Sequence, residues 1–184
     1  MYPAGLASFV GARDLAWTDY QGWVDLYYSR FEEIHHNPDL GVYLRASKPS
    51  LADEAALFGQ VMKAVLDRDM VAAVFESGTT LVGTCTISRN GHHFEDRHVG
   101  TLGIAILPDW RGKGIGNTLL GYGLEKCRGI FEIVELKVLA INEVAQKLYR
   151  KHGFVEHGRQ PRSFKRGDRY LDEVLMWRSI EPAK

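Results

Sequence analysis

The stretch Arg111-Gly112-Lys113-Gly114-Ile115-Gly116 alternates three glycines with a cation and an aliphatic residue, shortly after Pro108 and just before an apolar helical pattern. Glycines at this spacing let consecutive backbone N–H groups converge on an anion, and a helix N-terminus adds partial positive charge. The chemistry to expect is phosphate or pyrophosphate binding, with Arg111 and Lys113 at the rim. Spacing excludes two templates. A P-loop needs Gly-Lys-Ser/Thr with a glycine five positions earlier, but Lys113 is followed by Gly114 and position 107 is Leu. A G-x-G-x-x-G dinucleotide turn needs glycine at 117 or 119, which hold Asn117 and Leu119. What remains is Arg-x-x-Gly-x-Gly. It reads either as a pyrophosphate cradle or as a strand-to-helix turn whose glycines merely permit positive φ.

The elements that must position this turn follow from periodicity. "HVGTLGIAIL" before it is apolar on both faces, as expected of a strand inside a sheet. Leu119, Leu120, Leu124 and Cys127 after it share one helix face. Upstream, 8–15 reads as a strand. Thr18-Asp19 open a helix carrying Trp23, Leu26, Tyr27 and Phe31. Ser50 and Asp53 form a capping box for a second helix with Leu57, Val61, Val65 and Leu66. "MVAAVFES" and "TLVGTCTISRN", parted by Gly78, read as a hairpin. Downstream, "EIVELKVLAI" is a buried strand. Asn142 caps a short helix that ends at Gly153, and two strands turn across Arg166-Gly167-Asp168.

Composition narrows the function. The chain has 184 residues, 45% of them hydrophobic, and equal numbers of Lys+Arg and Asp+Glu, 23 each. One domain over 1–184 is the expectation. A net charge of zero argues against a nucleic-acid partner, which needs surplus cations. No window approaches the ~20 apolar residues of a membrane helix, and the opening segment is a poor signal peptide. Cys85 and Cys127 have no paired spacing, so a reducing cytoplasm is compatible. The pairs His35-His36 and His92-His93 are expected to face solvent or opposite faces, and no metal is expected.

With Arg111, Gly114 and Gly116 placed after "LGIAILP", the chain resembles the GNAT family of acetyl-CoA-dependent N-acetyltransferases. A second signature, "AINEVAQKLYRKHGF", resembles the family's Asn before a short helix with Tyr seven positions later, here Asn142 and Tyr149, ahead of Gly153-Phe154. The tail resembles the closing hairpin of the ribosomal-protein and small-amine acetyltransferase branch. The resemblance implies an α/β (α+β) fold, with a mixed, mostly antiparallel sheet splayed at its centre and flanked by about four helices. Residues 8–70 would be the variable acceptor side, and 70–181 the acetyl-CoA-binding core with its closing hairpin. The expected partner is an amine acceptor, a small molecule or a peptide N-terminus, with no nucleic acid, no membrane and room for a homodimer. An alternative is a silent acyl-CoA-binding sensor or subunit of the same fold.

The resemblance also assigns residues. Ala105, Ile106 and Leu107 form the strand edge that bonds the pantetheine arm. Arg111, Gly112, Lys113, Gly114, Ile115, Gly116, Asn117 and Thr118 hold the pyrophosphate. Asn142 bonds the pantetheine in addition to capping its helix. The N–H of Ile106 meets the developing oxyanion, and Tyr149 is the general acid for the leaving thiolate, unless it is only a core aromatic. Transfer passes directly to the amine without an acyl-enzyme. The base stays open. The ribosomal-type enzymes often carry Glu five positions before the Asn, and that position here is Lys137. Glu135, His98 or a water chain are the substitutes, and a Glu135–Lys137 ion pair is the structural alternative. Lys147, Arg150 and Lys151 are candidates for the nucleotide phosphates or a solvated face. Glu32, Glu33 and Asp39 are candidates to attract a cationic amine.

Overall fold

A seven-stranded sheet in the order β1-β2-β3-β4-β5-β7-β6 organises the chain. The computed structural model describes residues 10–37, 40–43, 47–90 and 93–180, without the side chain of His35. The strands are β1 (Val10–Asp14), β2 (Met70–Ser77), β3 (Thr80–Arg89), β4 (Val99–Ile106), β5 (Ile133–Leu139), β6 (Val155–Arg166) and β7 (Arg169–Ser179). The helices are α1 (Tyr20–His36), α2 (Leu51–Leu66), α3 (Ile115–Lys126) and α4 (Glu143–Lys151). Every strand pair is antiparallel except β4·β5, so the mixed, mostly antiparallel sheet with four helices is as the resemblance implies.

Alternation along the strands feeds two cores. Val71, Ala73, Phe75, Cys85 and Ile87 pack with Leu119, Leu120 and Leu124 of α3 on one face. Ala72, Val74, Leu81 and Ala105 face Leu26 of α1 and Phe58, Val61 and Met62 of α2 on the other. The Ser50 cap forms as read: its Oγ accepts from Asp53 N–H at 3.2 Å, and Asp53 returns the bond to Ser50 N–H at 3.0 Å. Leu66 departs from the pattern. It ends α2 at 71% exposure, because the buried stripe runs through Glu54, Phe58, Val61 and Met62. The first strand begins, among the described residues, at Val10, and a short turn over Trp17–Asp19 precedes α1.

One irregularity matters for function. β4 and β5 pair in parallel only from Val99 to Thr101 against Ile133 to Glu135. Beyond that point β4 stays bonded to β3 as far as Ile106, and β5 to β7 as far as Leu139. The sheet therefore opens at its centre, with α3 starting at one lip and α4 at the other.

Candidate active site

Backbone parity decides which residues of β4 face the gap. Leu107 N–H donates to Val82 O at 2.9 Å, and Val99 O accepts from Asn90 N–H at 3.3 Å. Odd-numbered residues thus turn their polar groups to β3, and even-numbered ones turn away. Of the expected edge, only Ile106 presents its backbone to the gap; Ala105 and Leu107 are corrected, and Leu102 and Ile104 join Ile106. The carbonyl of Ile106 already accepts from Arg111 Nε at 3.0 Å.

At the glycine turn the three glycines serve two purposes. Gly112 and Gly114 adopt φ of +73° and +84°, with open space where a Cβ would stand. A Cβ on Gly116 would lie 3.2 Å from both Ile106 Cδ1 and Leu148 Cδ2, so this glycine lets α3 approach β4 and α4. Asn117 and Thr118 N–H are bonded to Gly114 O. Among the described residues, the N–H groups of Lys113, Gly114, Ile115 and Gly116 have no backbone acceptor. That leaves a four-donor nest at a helix start, a fit for a pyrophosphate. The cations at its rim turn elsewhere. Arg111 makes a bidentate ion pair with Glu33 of α1, at 2.5 and 2.7 Å. Lys113 rests over the Trp110 ring at 5.1 Å.

Below the gap lies a cavity of about 390 Å³. Its floor is Thr84 and Thr86 of β3 with Leu102 to Ala105 of β4. One wall carries Lys137, Asn142 and Tyr149; the other carries Tyr27 and Arg30 of α1 and Glu54 of α2. Gly41, Val42 and Tyr43 close it. This short segment is clasped from three sides: Asn142 Nδ2 donates to Gly41 O at 2.8 Å, Arg166 donates to Leu40 O and Val42 O, and the Tyr43 ring packs on Phe164 at 5.0 Å. Asn142 also caps α4 as read, its Oδ1 accepting from Ala145 N–H at 3.1 Å.

Tyr149 is 7% exposed, edge-on to Phe154, and borders the cavity. Burial, with a smaller effect from Cys85, pushes its phenol well above the ordinary value, so it holds its proton at neutral pH. Glu135 is placed differently. It accepts from Asn90, which in turn accepts from Thr101, where β4 and β5 still pair and outside the cavity lining. It makes no ion pair with Lys137. His98 is exposed just ahead of β4. Lys147 lies 4.0 Å from Glu143, Arg150 bonds Gln146 and Glu156, and Lys151 is exposed. Of the histidine pairs, His92 and the His35 side chain lie outside the described residues. His36 lies with Nδ1 2.9 Å from Glu32 O, and His93 is exposed. Asp39 also lies outside the described residues.

Two groups escaped the sequence reading. Glu173 of β7 is 4% exposed, and takes hydrogen bonds from the Tyr43 hydroxyl at 2.9 Å and from Ser163. Its signal was present: it sits between Leu171 and Leu175 on one side of a period-two strand, a carboxylate on an apolar face. Arg30 likewise follows Trp23 and Tyr27 at helical spacing, a cation on an apolar stripe.

A sheet that opens at its centre beside a glycine-lined helix start defines an acetyltransferase-type fold. The chain belongs to the Acetyltransferase (GNAT) family, matching it over residues 10–154. It is 41% identical over 91 residues to the N-alpha-acetyltransferase RimI of Mycobacterium tuberculosis, covering 48% of this chain and 54% of that one. It is 30% identical over 83 residues to the L-amino acid N-acetyltransferase AaaT of Escherichia coli, covering 44% and 51%. The chain thus spans about half the length of these curated relatives. The structure of yncA, a putative acetyltransferase from Salmonella typhimurium with its cofactor acetyl-CoA, matches with a TM-score of 0.79 at 15% identity over 95% of each chain, a likeness of fold.

Proposed function

We propose that this chain is an acetyl-CoA-dependent N-acetyltransferase that passes the acetyl group directly to a primary amine. The observation that carries the reading is the meeting, on one cavity, of the unpaired edge of β4 with the buried phenol of Tyr149. The nest of Lys113 to Gly116 receives the pyrophosphate, with Gly112, Asn117 and Thr118 shaping it. Ile104 and Ile106 offer backbone groups to the pantetheine arm, and Asn142 stands at its side. Bound acetyl-CoA supplies the thioester, whose carbon–sulfur bond breaks as the amine nitrogen bonds the acyl carbon. The Ile106 N–H steadies the negative oxygen, and Tyr149 protonates the departing sulfur.

An alkyl amine of pKa ~10 must first lose a proton. We assign that step to Tyr43 and Glu173. The ammonium gives its proton to the Tyr43 oxygen while Tyr43 passes its own to Glu173, which ends protonated. Glu135 lies outside the cavity lining, so the assignment moves from β5 to β7.

Thiol release from acetyl-CoA across a panel of amines, amino acids and peptides tests the reading. Turnover with at least one acceptor, lowered about 10²–10⁴-fold in Tyr149→Phe, supports it. Tight coenzyme A binding with no turnover anywhere would instead establish the silent binding module.

A further inference from the structure

The acceptor side of the cavity is cationic where the sequence pointed to acid. Glu32 is paired with Lys48 at 2.9 Å, and both oxygens of Glu33 are taken by Arg111. Neither lines the cavity; the charged side chains that do are Arg30, Lys137 and the wall residue Glu54. Arg30 extends from α1 with its guanidinium carbon 5.5 Å from the centre of the Tyr27 ring. Its Nε is sealed from solvent with no hydrogen-bond partner.

That arrangement is costly as it stands. A guanidinium carries five donors in a fixed plane, and burying the Nε–H without a partner forfeits its hydration. Glu54 and Glu33 attract the charge from a distance while Arg111 repels it. The charge is therefore partly balanced, but the Nε–H hydrogen bond is not supplied. A planar fork of donors matches a carboxylate or another compact oxyanion. Lys137, across the cavity, adds a second positive charge at the position where a protein-N-terminal acetyltransferase of the ribosomal type often carries Glu.

Resting on the N-acetyltransferase reading, we propose that Arg30 receives a carboxylate or similar oxyanion of the acceptor. The acceptor is then a small zwitterion, an amino acid acetylated on its amine, in preference to a polyamine or a peptide N-terminus. The oxyanion docks on Arg30 at α1, and the amine is left near Tyr43 and the gap.

The test uses the full chain and matched acceptor sets: each free amino acid, its amide, and the corresponding decarboxylated amine, with spermidine and short peptides. Free acids are expected to exceed their amides and amines at least ~10-fold in kcat/KM, the worth of a charge-assisted bond. Arg30→Gln should raise KM for the acids about 10- to 100-fold while leaving KM for acetyl-CoA unchanged, and Arg30→Lys should fall between. Amides and amines equal to the acids in the wild type would overturn the proposal, as would an Arg30→Gln variant that slows every acceptor alike. Should no acceptor turn over, calorimetry of the same amino acids on the coenzyme A-bound protein still decides. Binding lost in Arg30→Gln supports the anion site while the enzyme reading falls, and no binding overturns both.

Discussion

Glu173→Gln and Tyr43→Phe test the proton path most directly. Either change removes a hydrogen bond to a carboxylate, a loss of about 1.5–3 kcal/mol in stability. A domain of this size carries about 5–15 kcal/mol, so both variants should fold. The kinetic effect is larger and depends on pH. At pH 7 an amine of pKa ~10 is neutral in about one molecule per thousand. An enzyme that lost its base and relied on that fraction would slow by up to about 10³-fold, roughly 4 kcal/mol of barrier. The deficit should shrink tenfold per pH unit and nearly vanish at about pH 10. Two groups beside the pair do not share this behaviour: Ser163, which donates to Glu173, does not titrate, and Tyr149 holds its proton. Burial, and then the bond to Glu173, raise Tyr43 as well, so it remains a donor across the range. The assay is initial thiol release from pH 6 to 10 at saturating acetyl-CoA. A deficit of the same size at every pH would make the pair a clasp for the 40–43 segment and end its catalytic assignment.

Other outcomes follow from the same site. Tyr149→Phe should lower kcat by about 10²–10⁴-fold with coenzyme A affinity intact by calorimetry; an unchanged rate removes it from the mechanism. Gly114→Asp, at φ +84° and beside the N–H nest, should abolish coenzyme A binding in the same titration. Gly41→Ala would drive a Cβ into Asn142 Cβ, so the 40–43 segment must lift; acceptor KM should rise while thermal unfolding barely moves. Cys85 and Cys127 are fully buried, and burial pushes both thiols up, Cys127 to about 12. Native protein should therefore resist thiol reagents until it unfolds, and rapid labelling would contradict that burial.

The glycine turn and the Asn142 cap were legible because their signals are local. Gly112, Gly114 and Gly116 act within one turn, Asn142 caps the helix that carries Tyr149, and each can be read inside a window of about ten residues. The opening of the sheet was implied by resemblance, but which β4 residues face it depends on pairing parity with β3, and no single strand encodes that. Ala105 and Leu107 were therefore misplaced as edge residues. Tyr43 and Glu173 were illegible as a pair. They are separated by 130 positions and meet only because the β6–β7 hairpin and the 40–43 segment close over the same cavity.

Charge on the acceptor side shows the same limit in a sharper form. In the sequence, Glu32 and Glu33 stand together and look like an acidic lure for an amine. In the fold, each is spent on a cation distant in the chain, Lys48 and Arg111, and the stripe that actually turns inward ends in Arg30. The Glu33–Arg111 pair also ties α1 to the residue that bonds the Ile106 carbonyl. The helix that carries Arg30 into the cavity lining is thereby anchored to the strand edge assigned to the pantetheine arm. A local count of charges points to the opposite acceptor from the one proposed on Arg30. The discriminating variable is which side chains have their hydrogen bonds already filled: Glu32 and Glu33 are paired, and the buried Arg30 Nε is not.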